Sequence, residues 1–260
     1  MFFLKKKIIK PKVVFTDHFI NQTVMANFAK GIGADRVYPI HSFKDYDLPI
    51  ASYGYLRGAG ELYKKCDFWY IDHGYFKQSQ RSFQDNKVLV NNLDGYFRIV
   101  HNDFWHNGIK KFSSDRFEKL NLEISPQKST GSYIIVSEPT EDASNYYDLQ
   151  NWTNNTVEEL KKYTDRKIIL HNRNSKVPLD ELLKNAWAFV SDHSSAGFKA
   201  MLKGVPAFYT NKTLKEVGDI RNIEKHKINE KIISNLAYCQ WTLAEIASGE
   251  AWHFISRELY

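Results

Sequence analysis

Six of the nine histidines in this chain, His18, His41, His73, His101, His171 and His193, stand at or just past the ends of short apolar runs. Most arrive in polar company: Thr16-Asp-His18, Asp72-His-Gly74, His101-Asn-Asp103, His171-Asn-Arg173 and Asp192-His-Ser-Ser195. A carboxylate beside an imidazole tunes its proton affinity, so Asp72-His73 and Asp17-His18 are candidate general bases. Gly74 adds room for backbone and substrate to approach closely. The run from Ala188 to Tyr209 carries the other chemistry. There a hydroxyl pair, Ser194-Ser195, sits where a helix should begin, and free N–H groups and the helix dipole favour an anion at such a place. Two ordinary N-caps on a surface turn are the alternative.

These residues need elements to hold them. Ala188-Phe-Val190 reads as a buried strand, Ala196–Lys203 as a helix of small and apolar residues, and Gly204 with Pro206 as its stop. Upstream, Val13–Thr16, Arg36–Ile40 and Asp67–Ile71 read as strands. A helix capped by Asn21 runs through Val24, Phe28 and Ala29 to Gly31 or Gly33, and another lies around Glu61–Lys65, with a loop holding Pro49 and Gly54 before it. Tyr96–Val100 is a further strand. After a polar, turn-rich stretch over Pro126–Ser132 come Tyr133–Val136, a helix over Val157–Tyr163, a strand at Lys167–Leu170 and a helix over Leu179–Trp187. The apolar stripe Leu236, Cys239, Leu243, Ile246 predicts an amphipathic helix within Ile232–Trp252. Alternating strands and helices argue for parallel sheets, whose ligands bind outside the carboxyl ends of the strands.

The segment Ser194-Ser-Ala-Gly-Phe-Lys-Ala-Met-Leu-Lys-Gly-Val-Pro206 resembles the donor-site segment of nucleotide-sugar glycosyltransferases of GT-B architecture, in particular their capsule-polysaccharide and phage-encoded branches. That resemblance implies an α/β protein of two Rossmann-like domains with the active site in the interdomain cleft. It places an acceptor-side domain at residues 1–127, a donor-binding domain at 128–260, and a C-terminal helix packed back on the first domain. His171, Arg173, His193, Ser194 and Ser195 then bind the donor and steady the departing phosphate, while Asp72, His73, Asp17 and His18 supply the base. His101, Asp103 and Trp105 become acceptor contacts. Many relatives hold the donor ribose with a Glu where this chain has Lys199, which is expected to meet a phosphate or an acidic sugar instead, or to face solvent. Ordinary core histidines are the alternative for His171 and His193, and a surface salt bridge for Arg173.

The net charge of +6 and a pI near 9.0 suit an anionic substrate or a polyanionic partner. The resemblance to phage-encoded relatives, with the compact size and expected intracellular character, implies a hydroxymethylated pyrimidine in phage DNA as the leading acceptor, with Lys5-Lys-Lys7 and Lys110-Lys111/Arg116 against the DNA backbone. A cell-surface polysaccharide or lipid-linked glycan is the alternative, and a non-catalytic nucleotide- or glycan-binding protein the second. Aromatic residues reach 15% and cluster over Tyr53–Tyr75 and Tyr96–Trp105, either to stack on sugars or bases or to build a core. No metal is expected: the predicted helices carry no His-x-x-x-His, and the fold that the resemblance implies often works without one. The nucleotide-sugar is a co-substrate, with no further cofactor. Cys66 and Cys239 lack a neighbouring thiol and read as buried free cysteines. No run approaches a membrane span, and Met1–Lys10 has its apolar residues before its charges, the reverse of a secretory signal. A cytoplasmic protein is expected, in the host cytoplasm if phage-encoded.

Overall fold

The computed structural model describes residues 8–78, 81–84, 88–91 and 93–260. The chain opens with β1 (Lys12–Phe15), whose Val13 and Val14 are fully buried. Helix α1 (Phe19–Ile32) follows, buried along Ile20, Val24, Phe28 and Ile32, a four-residue recurrence that makes one apolar stripe. Gly33 ends it in the left-handed region at φ 62°, where a Cβ is penalised. The expected Asn21 cap is replaced by His18. Asn21 lies inside the helix, accepts from the Thr16 N–H at 3.0 Å and donates to the Tyr53 carbonyl at 2.8 Å.

Next come β2 (Val37–Pro39), β3 (Ile50–Tyr53), α2 (Ala59–Tyr63) and β4 (Phe68–His73). Strand β3 lies in the expected loop: Ile50 and Ala51 are fully buried, but four residues between Pro49 and Gly54 are too few to show a period. The hairpin pair β5 (Arg81–Gln84) and β6 (Val88–Asn91) is antiparallel, and β7 (Tyr96–His101) completes the first part of the chain.

Helix α3 (Asp115–Lys119) leads into the second sheet, built from β8 (Tyr133–Ser137), β9 (Lys167–His171), β10 (Ala186–Ser191) and β11 (Ala207–Tyr209). Between these strands lie α4 (Glu141–Tyr147), α5 (Trp152–Leu160), α6 (Leu179–Leu183) and α7 (Ala196–Leu202), with α8 (Glu230–Leu236) after them. The expected C-terminal helix over Ile232–Trp252 is interrupted: β12 (Gln240–Thr242) pairs antiparallel with β7, and α9 (Leu243–Ser248) and α10 (Glu250–Phe254) follow. The break has a local cause. Thr242 and Glu245 form a reciprocal capping box, which starts a new helix at Leu243.

The chain divides into two compact units, one running to Phe104 and taking back Cys239–Tyr260, the other Trp105–Tyr238. The junction expected at 127/128 falls inside the second. Residues from Trp105 onward belong there because Asn235 accepts from the Phe112 N–H and donates to the Gly108 carbonyl. The first sheet has the order β12-β7-β4-β3-β1-β2, with β4, β3, β1 and β2 parallel, β7 antiparallel to β4, and β12 antiparallel to β7. In this unit α9 crosses α1 so closely that a Cβ on Gly31 would overlap the Ile246 carbonyl. The second sheet, β11-β10-β8-β9, is wholly parallel. Its centre is buried on both faces, with Ile134, Ile135, Val136, Ala188, Phe189 and Val190 fully enclosed. Among the described residues no helix is long and apolar enough to cross a membrane.

Candidate functional site

In the second unit the chain goes from β8 outward to β9, then returns past β8 to β10. The reversal makes a topological switch point, where the loops leaving neighbouring strands diverge and open a crevice at their carboxyl ends. Register fixes what stands there. Ser137 pairs with His171, Val136 with Val190, and Ser191 with Tyr209, so the turns after β8, β9 and β10 begin in one row. Adjacent strands are about 4.8 Å apart, so the β9 and β10 turns start about 10 Å from each other.

A cleft of about 350 Å³ opens at the first two turns, lined by Glu138, Pro139, Thr140, Glu141, Asn172, Arg173 and Asn174. The β9 turn is internally braced: Asn172 donates to Glu138 at 2.8 Å, and its backbone N–H donates to the Ser175 hydroxyl at 2.9 Å. Thr140 caps α4 by accepting from the Ala143 N–H. Arg173 is exposed and has no carboxylate within ion-pair distance among the described residues, so the salt-bridge alternative does not apply. His171 is half-buried and is the last residue of β9, paired with Ser137. Glu138 directly follows β8, while Thr140 and Glu141 carry no signal of their own in the sequence, which shows no separate α4.

The β10 turn is more enclosed. Ser191 is buried and its hydroxyl accepts from the Ser194 N–H at 3.1 Å, which curls the chain toward α7. The Ser194 hydroxyl accepts from the Ala196 N–H at 3.3 Å, and Ser195 occupies the N-cap position with its own hydroxyl uncommitted to the cap. Gly197 has no alternative, because a Cβ there would overlap the Tyr209 hydroxyl, which donates to the Ser194 carbonyl. Burial pushes that Tyr209 phenol far above its usual range. Asp192 bonds His193 Nδ1 at 2.6 Å, and the imidazole packs on Tyr147 at 4.5 Å and Trp105 at 6.2 Å. Trp105 itself is buried, so its surface goes to this packing. Lys199 forms a 2.8 Å ion pair with Asp180 of α6, and both side chains are half exposed.

In the first unit the parallel strands carry Asp17 and His18 past β1 and Asp72 and His73 at the end of β4. Asp17 is exposed and His18 half-buried at the start of α1. Asp72 is fully committed. It accepts from the Tyr70 hydroxyl at 2.5 Å, the His73 N–H at 2.7 Å and Arg98 at 3.3 Å. Burial alone would raise its carboxyl, but Arg98, His73 and the Tyr70 hydroxyl together outweigh that and hold it below the ordinary carboxylate range. A carboxylate so stabilised is a weak base, and its hydrogen bonds brace the strand end. Arg98 also donates to the carbonyls of His73 and Phe104. The His73 ring stacks beside Phe97 and meets Tyr53 edge-on.

His101 and Asp103 do not join this end. Strand β7 is antiparallel to β4, so Trp69 pairs with His101 while His73 pairs with Phe97. His101 thus stands at the opposite edge of the sheet, stacked on Trp69 at 4.4 Å, its N–H donating to the Tyr260 hydroxyl. Asp103 accepts from the Phe104 N–H beside it. Most of the aromatic clusters build core: Trp69, Tyr70 and Phe97 are buried, and Tyr63 stacks on Phe68 at 4.5 Å.

No protein-family model and no curated protein matches this sequence. Among solved structures the chain is similar to the beta Kdo 2,7 transferase of Thermosulfurimonas dismutans KpsC, with a TM-score of 0.49 at 7% identity over 93% of this chain and 99% of that one. It is also similar to the beta Kdo 2,4 transferase of the same KpsC, with a TM-score of 0.48 at 11% identity over 87% and 90% of the two chains.

Proposed function

We propose that this chain is a nucleotide-sugar glycosyltransferase, its two units serving as the acceptor-side and donor-side halves of a GT-B enzyme. The observation that carries the reading is the carboxyl edge of the second sheet, where an unpaired Arg173, a braced cleft and the Ser194-Ser195 turn follow neighbouring parallel strands. Arg173 offers a rigid fork of donors to a phosphate, and neutralises the charge that grows on it as the bond to the sugar breaks. Ser194 and Ser195, with His171, complete the phosphate contacts. Glu138 and Glu141 face the same cleft as acceptors for ribose or sugar hydroxyls, the task that a carboxylate on α7 performs in similar enzymes and that Lys199 cannot.

On the acceptor side His73 takes the proton from the attacking hydroxyl, with Asp72 and Arg98 holding the end of β4 in place; His18 is the competing base. We favour a glycan hydroxyl as acceptor over a DNA hydroxymethyl group. Of the basic residues expected against DNA, Arg116 donates to the Ala237 carbonyl, Lys110 and Lys111 are merely exposed, and Lys5–Lys7 lie outside the described residues.

The test is a thermal-shift panel of nucleotides and nucleotide-sugars, followed by donor-hydrolysis and transfer assays on oligosaccharides and hydroxymethylated DNA. One nucleotide and its sugar conjugates should stabilise the protein. Arg173→Ala should weaken that binding about 10–100-fold, the worth of a charged hydrogen bond, and abolish hydrolysis. Unchanged binding and hydrolysis in this variant would rule out the donor pocket described. Binding without turnover of any donor would instead identify a non-catalytic binding protein.

A further inference from the structure

Behind the β10 turn runs a chain of hydrogen bonds that the donor contacts alone do not require. Trp152 Nε1–H donates to Thr210 Oγ1 at 2.6 Å, Thr210 donates to Asp192 Oδ1 at 2.7 Å, and Asp192 Oδ2 meets His193 Nδ1 at 2.6 Å. Donor and acceptor chemistry orders this chain without ambiguity. An indole nitrogen only donates, so the Thr210 oxygen accepts from it and must pass its own proton to Asp192. A carboxylate only accepts, so Nδ1 of His193 must carry the proton that lies between them. In the neutral ring Nε2 is then a bare lone pair, the reverse of the tautomer that a free histidine side chain prefers in water. Among the described residues Nε2 has no hydrogen-bond partner. The side chains of His193 and Asp192 are only 15% and 12% exposed, so water competes poorly for either. The titratable groups against the ring are Asp192 on its own turn and the Tyr147 phenol of α4; the Trp105 indole carries no charge.

We propose that Asp192 and His193 form a proton-gated phosphate latch: binding of the donor's phosphate draws a proton onto Nε2, and the imidazolium then donates to the leaving-group oxygen. A bare lone pair repels a phosphate oxygen, whereas an imidazolium held between a carboxylate and a phosphate satisfies both of its N–H groups. In the transfer step the acceptor oxygen bonds to the anomeric carbon. The bond from that carbon to the phosphate oxygen breaks with its electron pair on oxygen, and that oxygen takes the Nε2 proton, which solvent later replaces. Asp192 and Thr210 are positioning residues, acting only through the ring. The latch rests on the donor-site reading above and deepens it.

The test is nitrogen NMR of the full chain with 15N-labelled histidine, alone and with inorganic pyrophosphate as probe, the His193 signal being assigned by its loss in His193→Gln. In the free protein the neutral ring should carry its proton on Nδ1. At the same pH, pyrophosphate should protonate Nε2 as well. Asp192→Asn should move the neutral ring toward the Nε2–H tautomer and weaken pyrophosphate binding about 10–100-fold. Thr210→Val, which keeps the volume and removes the relay hydroxyl, should give the same tautomer change in smaller measure. An Nε2–H tautomer in the free wild-type protein overturns the latch, as does a His193 signal unmoved by pyrophosphate. A protonated His193 in a protein that transfers no sugar sustains the latch and defeats the transferase reading; sugar transfer with an unresponsive His193 does the reverse.

Discussion

At the scale of single residues, two of the three Asp-His pairs, alike in sequence, are held in different ways. Asp192 accepts from one hydroxyl and one imidazole, so its partner ring keeps a usable nitrogen. Asp72 is held by Arg98, Tyr70 and a backbone N–H, and its carboxyl lies below the ordinary range. A carboxyl whose folded value is depressed contributes stability above its unfolded value near 3.9 and loses that contribution as pH falls through the folded value. Acid unfolding followed from pH 7 to pH 2 should therefore show wild-type stability falling below about pH 4. Asp72→Asn should flatten that branch and lower stability at pH 7 by about 1–3 kcal/mol, because the buried Arg98 loses its charged acceptor. An unaltered acid branch in the variant would show that other carboxylates carry it.

At the scale of elements, two glycines of α1 separate conformational need from steric need. Gly33 has φ 62° and open space around it, apart from the Lys10 amine at 3.5 Å. Gly33→Ala should cost about 1 kcal/mol, the penalty for a side chain in the left-handed region. Gly31 is ordinary helix, where alanine by itself would gain up to about 1 kcal/mol. A Cβ there overlaps the Ile246 carbonyl, so overpacking wins and Gly31→Ala should cost about 1–3 kcal/mol net. Urea unfolding of both variants decides the order, and a stabilised Gly31→Ala would mean that α9 can retreat from α1. The C-terminal stretch, whose pattern predicts one helix, is divided by a strand. Its 3.6-residue stripe is real on both sides of Gln240–Thr242, but the strand between is recruited by the open edge of β7, a partner more than 140 residues away that no local pattern can announce.

At the scale of the whole molecule, each unit has a sheet and core of its own, Val14, Ile50, Phe68 and Tyr70 in one and Ile134, Val136, Ala188 and Phe208 in the other. A ligand held only by the turns after β8, β9 and β10 should therefore stabilise the second unit selectively. Hydrogen exchange with and without the stabilising nucleotide should show slowed exchange in β8, β10 and the Ser191–Ser195 turn. Amides of β1, β3 and β4 should change little. Equal slowing in both sheets would contradict a binding site built from the second unit alone.

What the sequence determines by itself is whatever local chemistry dictates. The apolar runs at Val13, Tyr133 and Ala188, a glycine stop at Gly31 or Gly33 and another at Gly204, and the polar turns after β1, β4, β8, β9 and β10 were legible, because strand burial, left-handed φ and capping depend on a few adjacent residues. So was the order of strands and helices that yields parallel sheets, and with it the placing of Arg173, Ser194 and Ser195 at strand ends. Strand direction and order were decided elsewhere. Strand β7 reads like any other apolar run, and only its antiparallel pairing sends His101 and Asp103 to the far edge of the sheet, away from His73. The Trp152–Thr210–Asp192–His193 chain spans residues up to 58 apart in sequence and exists only because β10, β11 and α5 pack side by side. Spacing along a chain records what each segment prefers to be; which segments become neighbours, and so which side chains share a proton, is settled by how the sheets bury their faces.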